Sequence, residues 1–117
     1  MSAEETKTYF VVIRYGGDEP IINRIRECAA EVKETIERVS SGRNQLVFTS
    51  QSGDCFGYLL QSELPMGAIT AKLNGETHSD EPSPLRIEDR TFIIEVGEQY
   101  GGRGFSKAWN WLDYRDA

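Results

Sequence analysis

The chain has 117 residues, with thirteen Lys and Arg against nineteen Asp and Glu for a formal charge of −6, and a 38% apolar fraction that includes five Phe, five Tyr and two Trp. That length fits one domain with a modest core, the large apolar side chains exclude a disordered chain, and the negative balance excludes nonspecific binding to a phosphate backbone. Cys28 and Cys55 alone make no disulfide framework, no apolar run approaches the ~18 residues of a membrane span, and the acidic start lacks the layout of a signal peptide, so a reducing cytoplasm is the expected location.

Thr8 to Tyr15 is a β-prone run with Tyr9, Val11 and Ile13 on one face and Phe10 and Val12 on the other. Apolar residues on both faces predict a central strand. Gly16-Gly17 turns the chain, and Asp18 followed by Pro20 predicts a helix start, with Asp18 as cap and the proline in the first turn. Ile22, Ile25, Ala29, Val32, Ile36 and Val39 recur at steps of three and four and define one apolar stripe. Arg24, Glu27, Glu31, Glu34 and Arg38 are expected mainly on the other side, with Glu34 and Arg38 as a favourable pair. Ser40-Ser41-Gly42 supplies the stop, since glycine adopts the left-handed conformation of a helix end without strain.

Gln45 to Thr49 and Cys55 to Gln61 read as two antiparallel strands joined by the short hairpin loop Ser50 to Asp54. Ser62-Glu63-Leu64-Pro65 opens a second helix, with Met66, Ile69 and Leu73 on one face and Asn74-Gly75 at its end. Glu76 to Pro84 is a polar loop. It holds His78, the single histidine, read as a solvated residue because neither cysteine lies near it for a zinc site. Arg90 to Val96 is the fourth strand, and Gly101-Gly102-Arg103-Gly104 leads into a third helix, Phe105 to Tyr114, with Phe105, Trp109 and Leu112 at helical spacing.

This order predicts an α+β domain of the ferredoxin-like, split βαβ type: a four-stranded antiparallel sheet, two helices on one face and an additional C-terminal helix. Residues 1–7 form a tail, 8–97 the ferredoxin-like domain and 98–117 the Gly-rich turn with the last helix.

Three stretches, Tyr9-Phe10-Val11-Val12-Ile13-Arg14-Tyr15, Gly57-Tyr58-Leu59-Leu60-Gln61-Ser62-Glu63-Leu64 and Glu88-Asp89-Arg90-Thr91-Phe92-Ile93-Ile94-Glu95-Val96, carry a family likeness. In layout, residues 8 to 97 resemble the SinR-like and VapD-like ferredoxin-like proteins, a superfamily that includes the CRISPR-associated adaptation endonucleases. The resemblance implies a compact domain that forms homodimers through its sheet and, for some members, metal-dependent nuclease activity with an Asp at the end of the first strand. Here that place holds Tyr15 followed by Gly16-Gly17, and the nearest acid, Asp18, reads as a helix cap.

A Gly-rich turn with an arginine before a helix is able to hold an anion through free backbone N–H groups and the helix dipole. Gly101, Gly102, Arg103, Gly104 and Ser106 are the ligand-binding candidates, set against a plain hinge with Ser106 as cap. Trp109 and Trp111, two positions apart on a helix, cannot face the same way. Trp111 and Tyr114 are therefore the partner-binding candidates, since aromatic residues anchor interfaces. Glu88-Asp89 with Asp54 and Glu63 are weighed as cation ligands and read as a solvated edge, because adjacent acids on an extended segment point to opposite faces. No catalytic, metal or cofactor set emerges. The leading expectation is a non-enzymatic interaction module, homodimeric, engaging another protein and a second copy of itself, with no nonspecific nucleic acid or membrane partner. A metal-dependent nuclease and a small-anion or nucleotide sensor are the alternatives.

Overall fold

Strand β1, Lys7–Arg14, has an antiparallel neighbour on each side: β3, Cys55–Ser62, and β4, Arg90–Val96. With β2, Asn44–Thr49, paired to β3, the four-stranded sheet runs β2-β3-β1-β4 and is antiparallel throughout. Helices α1, Ile21–Ser40, α2, Met66–Asn74, and α3, Ser106–Tyr114, complete the α+β domain. The chain is described here from a computed structural model covering residues 6–75, 83–97, 103 and 106–114. Among the described residues, no helix is long and apolar enough to cross a membrane.

The alternation of β1 decides the layers, because successive side chains of a strand point to opposite faces. Tyr9, Val11 and Ile13 are buried in one cluster with Val32 and Ile36 of α1, Ile69 and Leu73 of α2 and Leu60 of β3, so both of these helices cover the same face. On the opposite face Leu59 is buried with Ala108 and Leu112 of α3, against Phe10, Val47, Val96 and Trp111. Both faces of the central strand are thus in use.

Two details of α1 differ from the sequence expectation. Pro20, at φ −54° and ψ 136°, is the residue before the helix, and its carbonyl accepts the N–H groups of Asn23 and Arg24. Asp18 is exposed and lies outside the cap position, because the extended ψ of Pro20 delays the helical turn by two residues. The buried stripe is also rotated: Arg24, Cys28, Val32, Thr35, Ile36 and Val39 face inward, while Ile22 is 54% exposed. The stop falls where expected, with Ser41 at φ 52° and Gly42 at φ 80°, both left-handed.

Helix α2 starts after Pro65, and Ser62, expected at the helix entry, is instead the buried last residue of β3, where its Oγ donates to the Val39 carbonyl at 2.6 Å. The β2–β3 hairpin closes through the Ser50 N–H on the Cys55 carbonyl at 2.7 Å. The Ser50 and Ser52 hydroxyls both donate to Asp54 Oδ1 at 2.7 Å. The Ser52 and then the Ser50 hydrogen bond hold the Asp54 carboxyl below its ordinary pKa.

Candidate functional site

The face of the sheet turned away from α1 and α2 carries Phe10 and Val12 of β1. Their register partners are Leu59 and Gly57 of β3 and Ile94 and Phe92 of β4. A Cβ on Gly57 would lie 2.3 Å from Phe48 Cε1 and 3.1 Å from Phe10 Cε1, so the two rings sit directly on the β3 backbone. Their centroids are 6.4 Å apart. Among the described residues, α3 covers this face through Ala108 and Leu112 over Leu59. On β4, Val96 packs against this cluster, while Phe92 and Ile94 stand 58% and 43% exposed on a strand at the edge of the described sheet. Among the described residues, no strand pairs with the outer side of β4.

The other feature is a buried polar knot where β1, α1 and the segment before β4 meet. Arg24 Nη1 donates to Asp89 Oδ1 at 2.9 Å and Nη2 to Oδ2 at 2.5 Å, and both side chains are fully buried. The Gly16 N–H reaches Asp89 Oδ1 and the Arg86 N–H reaches Oδ2, each at 2.8 Å. Arg24 Nη1 also donates to the Gly16 carbonyl at 3.0 Å, and the guanidinium carbon lies 5.0 Å from the centre of the Tyr15 ring. Burial alone would raise the Asp89 carboxyl, but the hydrogen bonds from Arg24 and the two backbone amides outweigh it and hold the carboxyl below the ordinary value. The hydrogen bond to Asp89 likewise raises Arg24 above the usual guanidinium range. Burial pushes the Tyr15 phenol up to about 12.

Asp89 is therefore not part of a solvated edge. Its neighbour Glu88 keeps its carbonyl so close to Gly16 that a Cβ there would lie 2.0 Å from the oxygen, which brings the acid against the turn that follows β1. Arg24 is likewise not on the solvent side of α1. Its signal was its place four residues before Cys28 and eight before Val32, on the line of the true stripe. Among the described residues, no group of three His, Cys, Asp or Glu side chains comes together.

Of the candidates on the last segment, Arg103 is exposed, while Gly101, Gly102 and Gly104 lie outside the described residues. Ser106 and Tyr114 are the first and last residues of α3, and their side chains lie outside the description. Trp111 is half-buried against the cluster of Leu59, Ala108 and Leu112, within its own chain. His78 and Phe105 also lie outside the described residues, as does the side chain of Trp109.

Fold and site together define an α+β domain with two helices on one face of its sheet and a third on the other. No family model, curated protein or solved structure matches the chain.

Proposed function

We propose that the protein is a non-enzymatic interaction module that forms a homodimer by joining β4 to β4 of a second copy. The observation that carries this reading is the exposed pair Phe92 and Ile94 on the edge strand. Antiparallel pairing of two β4 strands about a two-fold axis at Ile93 sets Phe92 of each copy opposite Ile94 of the other, with Thr91 opposite Glu95 on the other face. Such cross-strand neighbours lie ~4.5–5.5 Å apart at Cβ, within packing distance, and the patch is self-complementary, as a two-fold interface requires. The pairing also satisfies the outward backbone groups of the edge, which otherwise template unwanted association.

The order β2-β3-β1-β4, with α1 and α2 on one face, supports reading residues 8–97 as a ferredoxin-like split βαβ sandwich to which α3 is added. The resemblance to the SinR-like and VapD-like proteins implies homodimers formed through the sheet, the mode proposed here. The nuclease alternative needs a free acid at the end of β1. Asp89 has both oxygens engaged by Arg24 and two backbone amides, which disfavours it as a metal ligand.

Light scattering and sedimentation of the full chain test the proposal. The expected mass is that of a dimer, falling to a monomer in Phe92→Glu and in Ile94→Lys with circular dichroism unchanged. Each copy carries a charge of −6, so added salt should tighten the dimer by screening repulsion beyond ~8–10 Å. A monomeric parent, or a dimer that persists in both variants, overturns the reading.

A further inference from the structure

A second feature lies on the opposite side of the sheet from β4, where α1 ends, β2 begins and β3 runs out. A cleft of about 320 Å³ opens there, with Arg38, Ser40, Arg43, Gln61, Ser62 and Glu63 among its lining residues. Its size is at the lower end of small-molecule sites, roughly 300–1,000 Å³. The walls are fixed: Ser62 Oγ donates to the Val39 carbonyl at 2.6 Å, the Gln61 N–H to the Arg43 carbonyl at 3.0 Å, and Asn44 Nδ2 to Ser40 Oγ at 3.0 Å.

The cleft carries two arginines. Arg14, Arg24 and Arg86 each face a carboxylate. Arg38 and Arg43, one from the last turn of α1 and one from the turn before β2, have no side-chain hydrogen bond or ion pair among the described residues. The C-terminal end of a helix would ordinarily repel an anion through its bare carbonyl groups. Here those carbonyls are occupied: Ile36 by Ser40 Oγ, Glu37 by the Gly42 N–H, Arg38 by the Ser41 N–H, Val39 by Ser62 Oγ and Ser40 by the Arg43 N–H. With the negative pole capped, the cleft offers an anion two guanidinium groups, beside the carboxylates of Glu63 in its lining and of Glu37, which accepts from Asn44 Nδ2 at 3.0 Å; guanidinium is the side chain best matched to phosphate oxygens.

We propose that this cleft binds a small phosphate monoester bearing an ammonium or hydroxyl donor, with Arg38 and Arg43 on the phosphate and Glu63 accepting from the donor. Glu63 sets the class: beside a bare dianion its carboxylate is repulsive, whereas a ligand with a donor next to its phosphate turns that repulsion into a hydrogen bond. The site is separate from the β4 surface and does not depend on dimer formation.

The test is a titration of the full chain, followed by amide chemical shifts, with O-phosphoethanolamine and with inorganic phosphate. The expected result is saturable shifts centred on Arg38 to Arg43 and Gln61 to Leu64, at lower concentration for phosphoethanolamine than for phosphate. Arg38→Gln with Arg43→Gln, both surface residues whose loss leaves the fold intact, should weaken phosphoethanolamine at least tenfold. Glu63→Gln should narrow the preference between the two probes. Absence of saturable shifts, shifts that persist in the double variant, equal binding of the two probes, or shifts centred on Gly101 to Gly104 would each overturn the proposal.

Discussion

Asp89 and Arg24, 65 positions apart in sequence, form a two-pronged ion pair with both side chains fully buried. Removing two charges from water costs several kcal/mol per ion, so the pair is tolerated only because its geometry is good and its remaining hydrogen-bonding groups are largely met. Asp89→Ala leaves the guanidinium buried without a counter-charge and should cost about 3–5 kcal/mol. Arg24→Met with Asp89→Leu removes both charges yet strands the Gly16 and Arg86 amides, so it should recover part of that loss only. Urea unfolding of the two variants measures the difference. Equal losses would show that the carboxylate acts mainly through the backbone amides.

The same pair sets the response to acid. Asp89 titrates below its ordinary 3.8 in the folded chain, so the folded state gains its full benefit above that value. The benefit is lost as pH falls through the lower folded value. Thermal midpoints should hold steady from neutral pH to about 5 and drop below about 4. Asp89→Asn, already less stable, should show a shallower acid limb.

Tyr15 supplies the alkaline counterpart. Its folded pKa stands at about 12 against an ordinary 10.0, so its contribution is complete below 10.0 and disappears as pH rises towards 12. Among the described residues its buried hydroxyl has no hydrogen-bond partner. Tyr15→Phe should therefore be neutral or stabilising by up to ~1–2 kcal/mol and should flatten the alkaline limb. A loss of stability on removing the hydroxyl would contradict the buried geometry.

Val32 and Ile22 separate the sequence stripe from the real one. Val32 is 1% exposed and Ile22 54% exposed, so Val32→Asp should cost several kcal/mol and unfold the domain, while Ile22→Asp should change the melting midpoint little. Ile25, partly buried against the core, should fall between them. Circular dichroism melts of the three variants give the ranking.

Gly16→Ala places a methyl carbon 2.0 Å from the Glu88 carbonyl oxygen. The segment before β4 must move, and the Gly16 hydrogen bond to Asp89 goes with it. A loss of roughly 1–3 kcal/mol is expected, with hydrogen exchange accelerating first at Arg86. Unchanged protection there would mean that the segment yields at no cost.

Deleting residues 106–117 should bare Leu59, Phe10 and Val47 beside the already open Phe92 and Ile94. The enlarged apolar surface should cause aggregation. A truncated chain that stays soluble and keeps its midpoint would show that α3 adds no cover.

The sequence by itself determined the elements and the central place of β1, because strand and helix periods are local properties written in neighbouring residues. Alternation in Tyr9 to Ile13 was enough to predict a sheet covered on both faces, and α3 and the two other helices provide that cover. Tertiary structure alone decided which charged residues lie inside. Arg24 reads locally as an outward helix charge and Asp89 as a loop acid, and each is buried only because the other is there to compensate it. It also decided that Phe92 and Ile94 are exposed, and that Arg38 and Arg43 share one cleft. Such facts depend on contacts between distant segments, for which periodicity and local propensity carry no signal.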